Sequence, residues 1–347
     1  MFINDKKDPP NFLTEFKNPC WYEKINLTDV QQEKIQNTCF NNLGKDNQIC
    51  KIISKQRLPC LPYFMLIGTP KSGSTDLYKR IIDHPDVLSC AAKEPHWWAR
   101  QQHSNFEKKY DLHKSERHST ILTNTQSKKA NRYLGEGSQS TFWDNTWWWR
   151  YPENRNDEEP GIVTANFIRH ILPEVKLLVI LRNPVDRLYS GYLFFKKHTH
   201  VSAEDFHRRA TNEVTKFNKC LTEHSLRHCA YTPTDHEVRL HVGLYALYRK
   251  EWINIFARDQ ILVLQLEDYS AHSQRAMSTV YKFLKLRDLS DEYGIKSGRA
   301  NTRKKKTQHV GQMLNKTREL LDTFYSPFNK ALAELMNEPR FLWQSLT

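Results

Sequence analysis

The sequence predicts an α/β fold, with a central parallel sheet flanked by helices around a P-loop-like core. Three observations carry that expectation. Tyr63–Ile67 is an apolar run short enough for a buried strand, and it ends at Gly68. The glycine-punctuated loop Thr69–Thr75 then feeds a helical pattern with Leu77, Ile81 and Ile82 on one side. Further on, the continuous apolar run Lys176–Leu181 has the character of a parallel strand buried on both faces, and strand-like and helix-like stretches alternate along the chain.

In order, residues 1–60 read as an irregular, cysteine-bearing N-terminal wrap, with Trp21 and Tyr22 as packing anchors and a helix over Asp29–Thr38. Residues 61–347 read as one large α/β domain. After the first helix, Asp86–Cys90 is a short second strand. Residues 101–130 are charged, rich in serine and threonine and without period, which predicts a loop. Arg132–Glu136 is a third strand, leading into Gly135-Glu136-Gly137-Ser138 and the tryptophans Trp143 and Trp147–Trp149. Most of those tryptophans, with Trp97 and Trp98, are expected to fill core beside a cleft. Helical spacing covers Thr164–Leu172, Ala203–Asn218, Val238–Ala257, Met277–Leu286 and Met313–Leu335. Ile261–Leu266 is a further apolar strand.

Charge narrows the partners. Lysine and arginine number 52 against 39 acidic residues, a net charge of +13 before any histidine is protonated. An anionic partner follows: nucleic acid, a membrane surface or an acidic polysaccharide. No nucleic-acid-binding motif is recognised, so nucleic acid is not the expected partner, and equally strong binding to DNA and chondroitin sulfate would restore it. No run of 18 apolar residues occurs, and Met1–Pro10 lacks a signal-peptide core, so the chain as given is expected to be soluble, as the catalytic part of an anchored protein would be. None of the seven cysteines has C-x-x-C spacing, so a zinc site is not expected. Two sequons, at Asn26 and Asn315, and the cysteine count favour disulfides in an oxidising lumen.

The chemistry sits at strand-to-helix junctions. A strand, a glycine loop and a helix N-terminus make an anion cradle, because backbone N–H groups point outward and the helix dipole favours negative charge. Gly68, Gly73 and Thr75 keep the Walker A spacing, but Ser74 stands where its lysine belongs, and the lysine is Lys71. An ATP- or GTP-using loop therefore fits poorly; the bland alternative is a tight turn with a solvated lysine. A second junction carries Arg182 at a strand end and Ser190 eight residues on, with Asn183 as cap and Pro184 in the first turn. Arginine offers a fork to a phosphate and the serine adds a hydroxyl, so the two junctions could hold the two ends of one bisphosphate nucleotide.

Taken together, GTPKSGST, KEPHWW, GEGSQSTFWDN, LRNPVDRLYSGY and FYSPFNKALAEL resemble the carbohydrate sulfotransferases that use 3′-phosphoadenosine 5′-phosphosulfate, and most closely the group acting at O-6 of N-acetylgalactosamine 4-sulfate. The similarity runs from about Asn18 to the C-terminal helix. The resemblance implies that Lys71, Ser72, Gly73, Ser74 and Thr75 hold the 5′-phosphosulfate, with Lys71 neutralising the leaving oxygen. It implies that Arg182 and Ser190 hold the 3′-phosphate and that Thr302 and Arg303 belong to a loop closing over the nucleotide. Glu94 becomes the general base, and His96 orients the acceptor or shares the proton transfer. The implied acceptor is a sulfated glycosaminoglycan, chondroitin or dermatan sulfate. No metal is implied, since lysine and arginine supply the positive charge. The implied residence is the Golgi lumen, as a type II membrane protein whose anchor is absent from this sequence.

Two departures matter. Related heparan sulfate enzymes carry a lysine where this chain has Gly137, and the tract Arg303–Lys306 is more basic than the family loop. Rival readings are a heparan-type or differently positioned chondroitin sulfotransferase, a nucleotide-dependent phosphotransferase, and an inactive polysaccharide-binding protein. Arg100, Arg150 and Arg155 are plausible contacts for acceptor sulfates, but sequence alone does not rank them.

Overall fold

The computed structural model of the chain describes residues 9–24, 56–57, 60–89, 94–100, 132–195, 201–232, 236–289 and 310–343. Five parallel strands form the central sheet: β1 (Phe64–Gly68), β2 (Val87–Ser89), β3 (Tyr133–Gly137), β4 (Lys176–Leu181) and β5 (Ile261–Gln265). Their spatial order is β2-β3-β1-β4-β5. The central strand β1 pairs on one side with β3, Met65 opposite Glu136, and on the other with β4, Met65 opposite Leu177. The chain's successive strands leave β1 towards opposite edges, which makes the crevice at its C-terminal end a topological switch point.

Alternation along the strands divides the core into two layers. Met65, Ile67, Leu177, Val179 and Leu181 face the larger core. That core also takes residues from α2 (Thr164–Ile171), α3 (Pro184–Phe195), α4 (Ala203–Glu223), α5 (Leu226–Tyr231), α6 (Tyr245–Ile255) and α9 (Asn315–Met336). Phe64, Leu66, Leu178, Ile180 and Leu264 face the smaller one, with α1 (Ser74–Ile82), Tyr269 of α7 (Leu266–Ala271) and α8 (Ser273–Phe283). Helices cover both faces, as the sequence predicts.

The N-terminal segment is fastened to the sheet edge. Asn18 donates from Nδ2 to the Arg132 carbonyl (2.7 Å) and accepts from the Leu134 N–H (2.7 Å). A disulfide joins Cys20 to Cys60, both buried against Leu134, and a second joins Cys220 to Cys229. A two-residue ribbon pairs Glu23–Lys24 with Gln56–Arg57.

Several expectations need correction. Trp21 is buried but Tyr22 is 53% exposed, so only the first anchors the wrap. The helix expected over Val238–Ala257 is broken: a 3-10 turn, His241–Gly243, precedes α6. The break falls where Gly243 lies so close to Tyr325 that a Cβ there would sit 2.7 Å from the ring. Leu266, expected to end a strand, opens α7, and α8 begins at Ser273, four residues before the expected Met277. Among the tryptophans, Trp97, Trp98, Trp143 and Trp148 are buried, whereas Trp149 is 49% exposed. The expected helix Asp29–Thr38, the loop 101–130 and the tract Arg303–Lys306 lie outside the described residues.

Candidate active site

Three neighbouring strand ends, those of β3, β1 and β4, build the site. Adjacent strands lie about 5 Å apart, so the loops leaving them share one crevice. From β1, the loop is tied down at once: the Thr69 N–H donates to the Ile180 carbonyl of β4 (2.9 Å), and the Thr69 hydroxyl meets that of Ser72 (2.7 Å). Ser72 is fully buried and its hydroxyl is committed to that of Thr69. Gly73 is the N-cap of α1 at φ 85°, and no side chain caps the helix. The first N–H groups of a helix have no intrahelical acceptor. Ser72, Gly73, Ser74 and Thr75 thus edge the uncapped, positive end of α1, a setting that fits a phosphate or phosphosulfate group.

Lys71 lies on that loop with φ 67°, and its ammonium sits 3.7 Å from the centre of the Phe194 ring on α3. Arg182, at the end of β4, donates from Nη1 to the Lys71 carbonyl (3.3 Å), and its own carbonyl accepts from Tyr245 (3.0 Å). The structure therefore joins the two junctions that the sequence marks separately. Asn183 caps α3 as expected, its Oδ1 accepting from the Val185 N–H at 2.9 Å. Ser190 is half-buried on α3, in the helix that Asn183 opens. Thr302 and Arg303 lie outside the described residues.

The loop after β3 holds the third part. Gln139 donates from Nε2 to Glu94 Oε1 at 2.6 Å. His96 donates its backbone N–H to the Ser138 hydroxyl (2.9 Å), and its Nδ1 meets the Ser140 hydroxyl at 2.7 Å. His96 Nε2 lies 3.9 Å from Glu94 Oε2. Burial is the main force lowering the His96 pKa; Arg100 and Arg239 add to it, and Glu94 and Asp144 oppose it. A neutral imidazole follows near pH 7. Glu94 and His96 both have left-handed backbones, φ 58° and 52°, a strain of ~1–3 kcal/mol each that the Ser138–Ser140 clamp maintains. These clamp residues were quoted in the sequence only as part of a motif. Their contacts span 42 to 45 positions, which no local pattern reveals.

The Gly137 departure has a steric cause in this chain. A Cβ at Gly137 would sit 3.0 Å from the ring of Tyr78, whose hydroxyl donates to the Gly135 carbonyl (2.8 Å). A side chain there would require the Tyr78 ring to give by a few tenths of an ångström.

One turn past His96, the Arg100 N–H donates to the His96 carbonyl (3.0 Å), and Arg100 enters the wall of a cavity of about 350 Å³. Asp144 binds the Arg100 guanidinium at 2.6 Å, and Arg239, His236 and His241 also line the cavity. Arg150 instead stacks over Trp147 and Trp149, and Arg155 is exposed.

This fold with this crevice is that of the sulfotransferase domain, whose family model matches residues 61–330, and the chain belongs to that family. Among its relatives is carbohydrate sulfotransferase 15 of Rattus norvegicus, 38% identical over 97% of this chain. The protein of that name from Homo sapiens is 36% identical over the same share. The chain spans 66% of the length of each of these relatives. A crystal structure of a sulfotransferase from Alicyclobacillus acidocaldarius shares the fold, with a TM-score of 0.54 at 20% identity, covering 80% of this chain and 96% of that one.

Proposed function

We propose that the chain transfers a sulfuryl group from 3′-phosphoadenosine 5′-phosphosulfate to a hydroxyl of a sulfated glycosaminoglycan, O-6 of N-acetylgalactosamine 4-sulfate in chondroitin or dermatan sulfate. The observation that carries the reading is the meeting of the Lys71 cradle, Arg182 and the Glu94–His96 clamp at adjacent strand ends. Similarity to carbohydrate sulfotransferase 15 along 97% of the chain supports the carbohydrate acceptor. In this reading, residues 61–347 are the catalytic domain and residues 1–60 its wrap.

The donor, when bound, supplies an activated sulfuryl group on a phosphate leaving group. The N–H groups of Ser72, Gly73, Ser74 and Thr75 bind its 5′ oxygens, and the Lys71 ammonium offsets the charge that grows on the leaving oxygen. Arg182 and Ser190 take the 3′-phosphate, with Thr302 and Arg303 covering it. Glu94 removes the acceptor proton, its carboxylate held in place by Gln139 at Oε1. His96, neutral and clamped by Ser140, orients that hydroxyl. The cationic side chains supply the charge that a metal ion supplies in phosphoryl transfer.

The Cys20–Cys60 and Cys220–Cys229 disulfides suit an oxidising compartment. They favour the Golgi lumen, with the full-length protein held as a type II membrane protein by an upstream anchor. Among the described residues, no helix is long and apolar enough to cross a membrane.

The test incubates the chain with labelled donor and a panel of defined glycosaminoglycans, followed by disaccharide analysis. Label at O-6 of N-acetylgalactosamine 4-sulfate is expected. Label only on heparan-type chains, or at another chondroitin position, replaces the acceptor. No label on any chain removes the enzymatic reading.

A further inference from the structure

The cavity beside His96 carries an unbalanced charge. Its wall holds two guanidiniums, Arg100 and Arg239, against one carboxylate, Asp144. Asp144 is 4% exposed and is fully engaged: it accepts from Arg100 Nε (2.6 Å) and from the Thr146 hydroxyl (2.7 Å). Of the two histidines, His236 turns to Glu213 (2.5 Å), outside the lining. Arg239 makes no ion pair among the described residues; its guanidinium lies 4.5 Å from the centre of the Phe195 ring. Arg239 is exposed; desolvation and repulsion from Arg100 lower its pKa, the Asp144 carboxylate opposes them, and it remains a cation at neutral pH. Beside it His241 is fully enclosed, its pKa pushed well down by burial and by the charges of its neighbours, and its Nδ1 has no hydrogen-bond partner.

A solvent-facing cation with no ion pair among the described residues and a buried imidazole nitrogen without a hydrogen-bond partner leave two unmet interactions in one cavity. Both are relieved by the same ligand, an anionic group rich in acceptor oxygens that also reaches a hydrogen-bonding atom at the back of the cavity. At about 350 Å³ the cavity lies within the ~300–1,000 Å³ range of ligand sites and accommodates a sugar substituent rather than a nucleotide. Trp143 and Trp147 in its wall offer apolar faces for a ring. Arg100 in its wall lies one turn past His96, its N–H donating to the His96 carbonyl, so an occupant held by Arg100 is within reach of the Glu94–His96 clamp.

Resting on the acceptor class proposed above, we infer that this cavity reads the sulfate ester already carried by the acceptor, with Arg239 as the specificity-determining contact and Arg100, braced by Asp144, as the second fork. Arginine suits the role because its planar fork matches the oxygens of a sulfate. The Arg187 side chain holds Arg239 through its backbone carbonyl (2.8 Å), so the side chain can be changed without removing that bond.

The test measures binding of two chondroitin oligosaccharides of equal length to the full chain by titration calorimetry, one 4-sulfated and one chemically desulfated. Both retain their uronate carboxylates. The wild-type chain is expected to prefer the sulfated ligand by about tenfold or more, the Arg239→Gln variant to lose that preference, and Arg239→Lys to recover part of it. Thermal melts establish that the variants are folded. A wild-type chain without the preference, or an Arg239→Gln variant that keeps it, overturns the inference. Equal weakening towards both ligands assigns the cavity to a carboxylate and overturns it too. The turnover assay is separate: Arg239-dependent preference without sulfate transfer leaves the subsite standing and removes the enzymatic reading. Transfer without that preference does the reverse.

Discussion

Glu136 stands at the C-terminal end of β3 with its carboxyl fully buried, and neither oxygen has a hydrogen-bond partner among the described residues. Burial pushes its pKa up from 4.5 to about 7; the Ser138 hydroxyl, close by but outside hydrogen-bond geometry, opposes it. The folded chain therefore holds a proton that the unfolded chain releases between those values. Glu136 imposes no cost below pH 4.5, where both states are protonated. Stability falls by up to ~3 kcal/mol as pH rises from 4.5 to about 7 and is flat above that. Glu136→Gln keeps the shape and removes the ionisation. It is expected to match the wild type near pH 4.5 and to melt higher at pH 8; parallel melting curves across that range would contradict this account. Glu94 differs from Glu136 in being reachable and partnered through Gln139. As the base, it is expected to lose ~10²–10⁴-fold in turnover on changing to Gln, with donor affinity nearly intact. Wild-type turnover in that variant would take Glu94 out of the role.

At the scale of elements, the cradle depends on one backbone conformation. Gly73 at φ 85° turns the loop into α1, and a Cβ there would meet Leu266 Cδ1 at 2.6 Å. Leu266 can swing aside, but the left-handed backbone still costs a side chain ~1–2 kcal/mol. Gly73→Ala is expected to lower stability by about that amount and to weaken donor-analogue binding, both read by denaturant titration and calorimetry. A variant with wild-type donor affinity would dissociate the turn from the cradle. This element was legible in the sequence because its determinants are consecutive: an apolar strand, a glycine and a helical stripe. β4 was legible for the same reason, and Lys176–Leu181 has the expected bounds. The 3-10 break before α6 was not, because it answers to Tyr325 on a distant helix. Nor were the Glu94 clamp or the Arg239 cavity, whose partners come from separate loops with no shared period.

For the molecule as a whole, the question is whether the N-terminal wrap is an appendage or part of the fold. Cys20 and Cys60 are buried against Leu134 of β3, Asn18 bonds both sides of that strand's start, and the Leu61 N–H donates to the Pro19 carbonyl (2.9 Å). These contacts make the wrap a cover for the β2–β3 edge of the sheet, on the strand that ends at the Glu94 clamp. Their persistence depends on the disulfide, which closes a separation of 40 residues. Constraining a loop of that length in the unfolded chain contributes ~4 kcal/mol in the chain-entropy account. A Cys20→Ser/Cys60→Ser double variant is expected to lose ~3–4 kcal/mol in denaturant unfolding under oxidising conditions. Native-state proteolysis should then cut ahead of residue 61 before it cuts the α/β body matched over residues 61–330. If the variant instead lost cooperativity throughout, with cleavage spread over the α/β body, the wrap would be an integral layer of the sulfotransferase fold rather than a stapled cover. If it lost less than ~1 kcal/mol, the hydrogen bonds of Asn18 alone would be holding the edge.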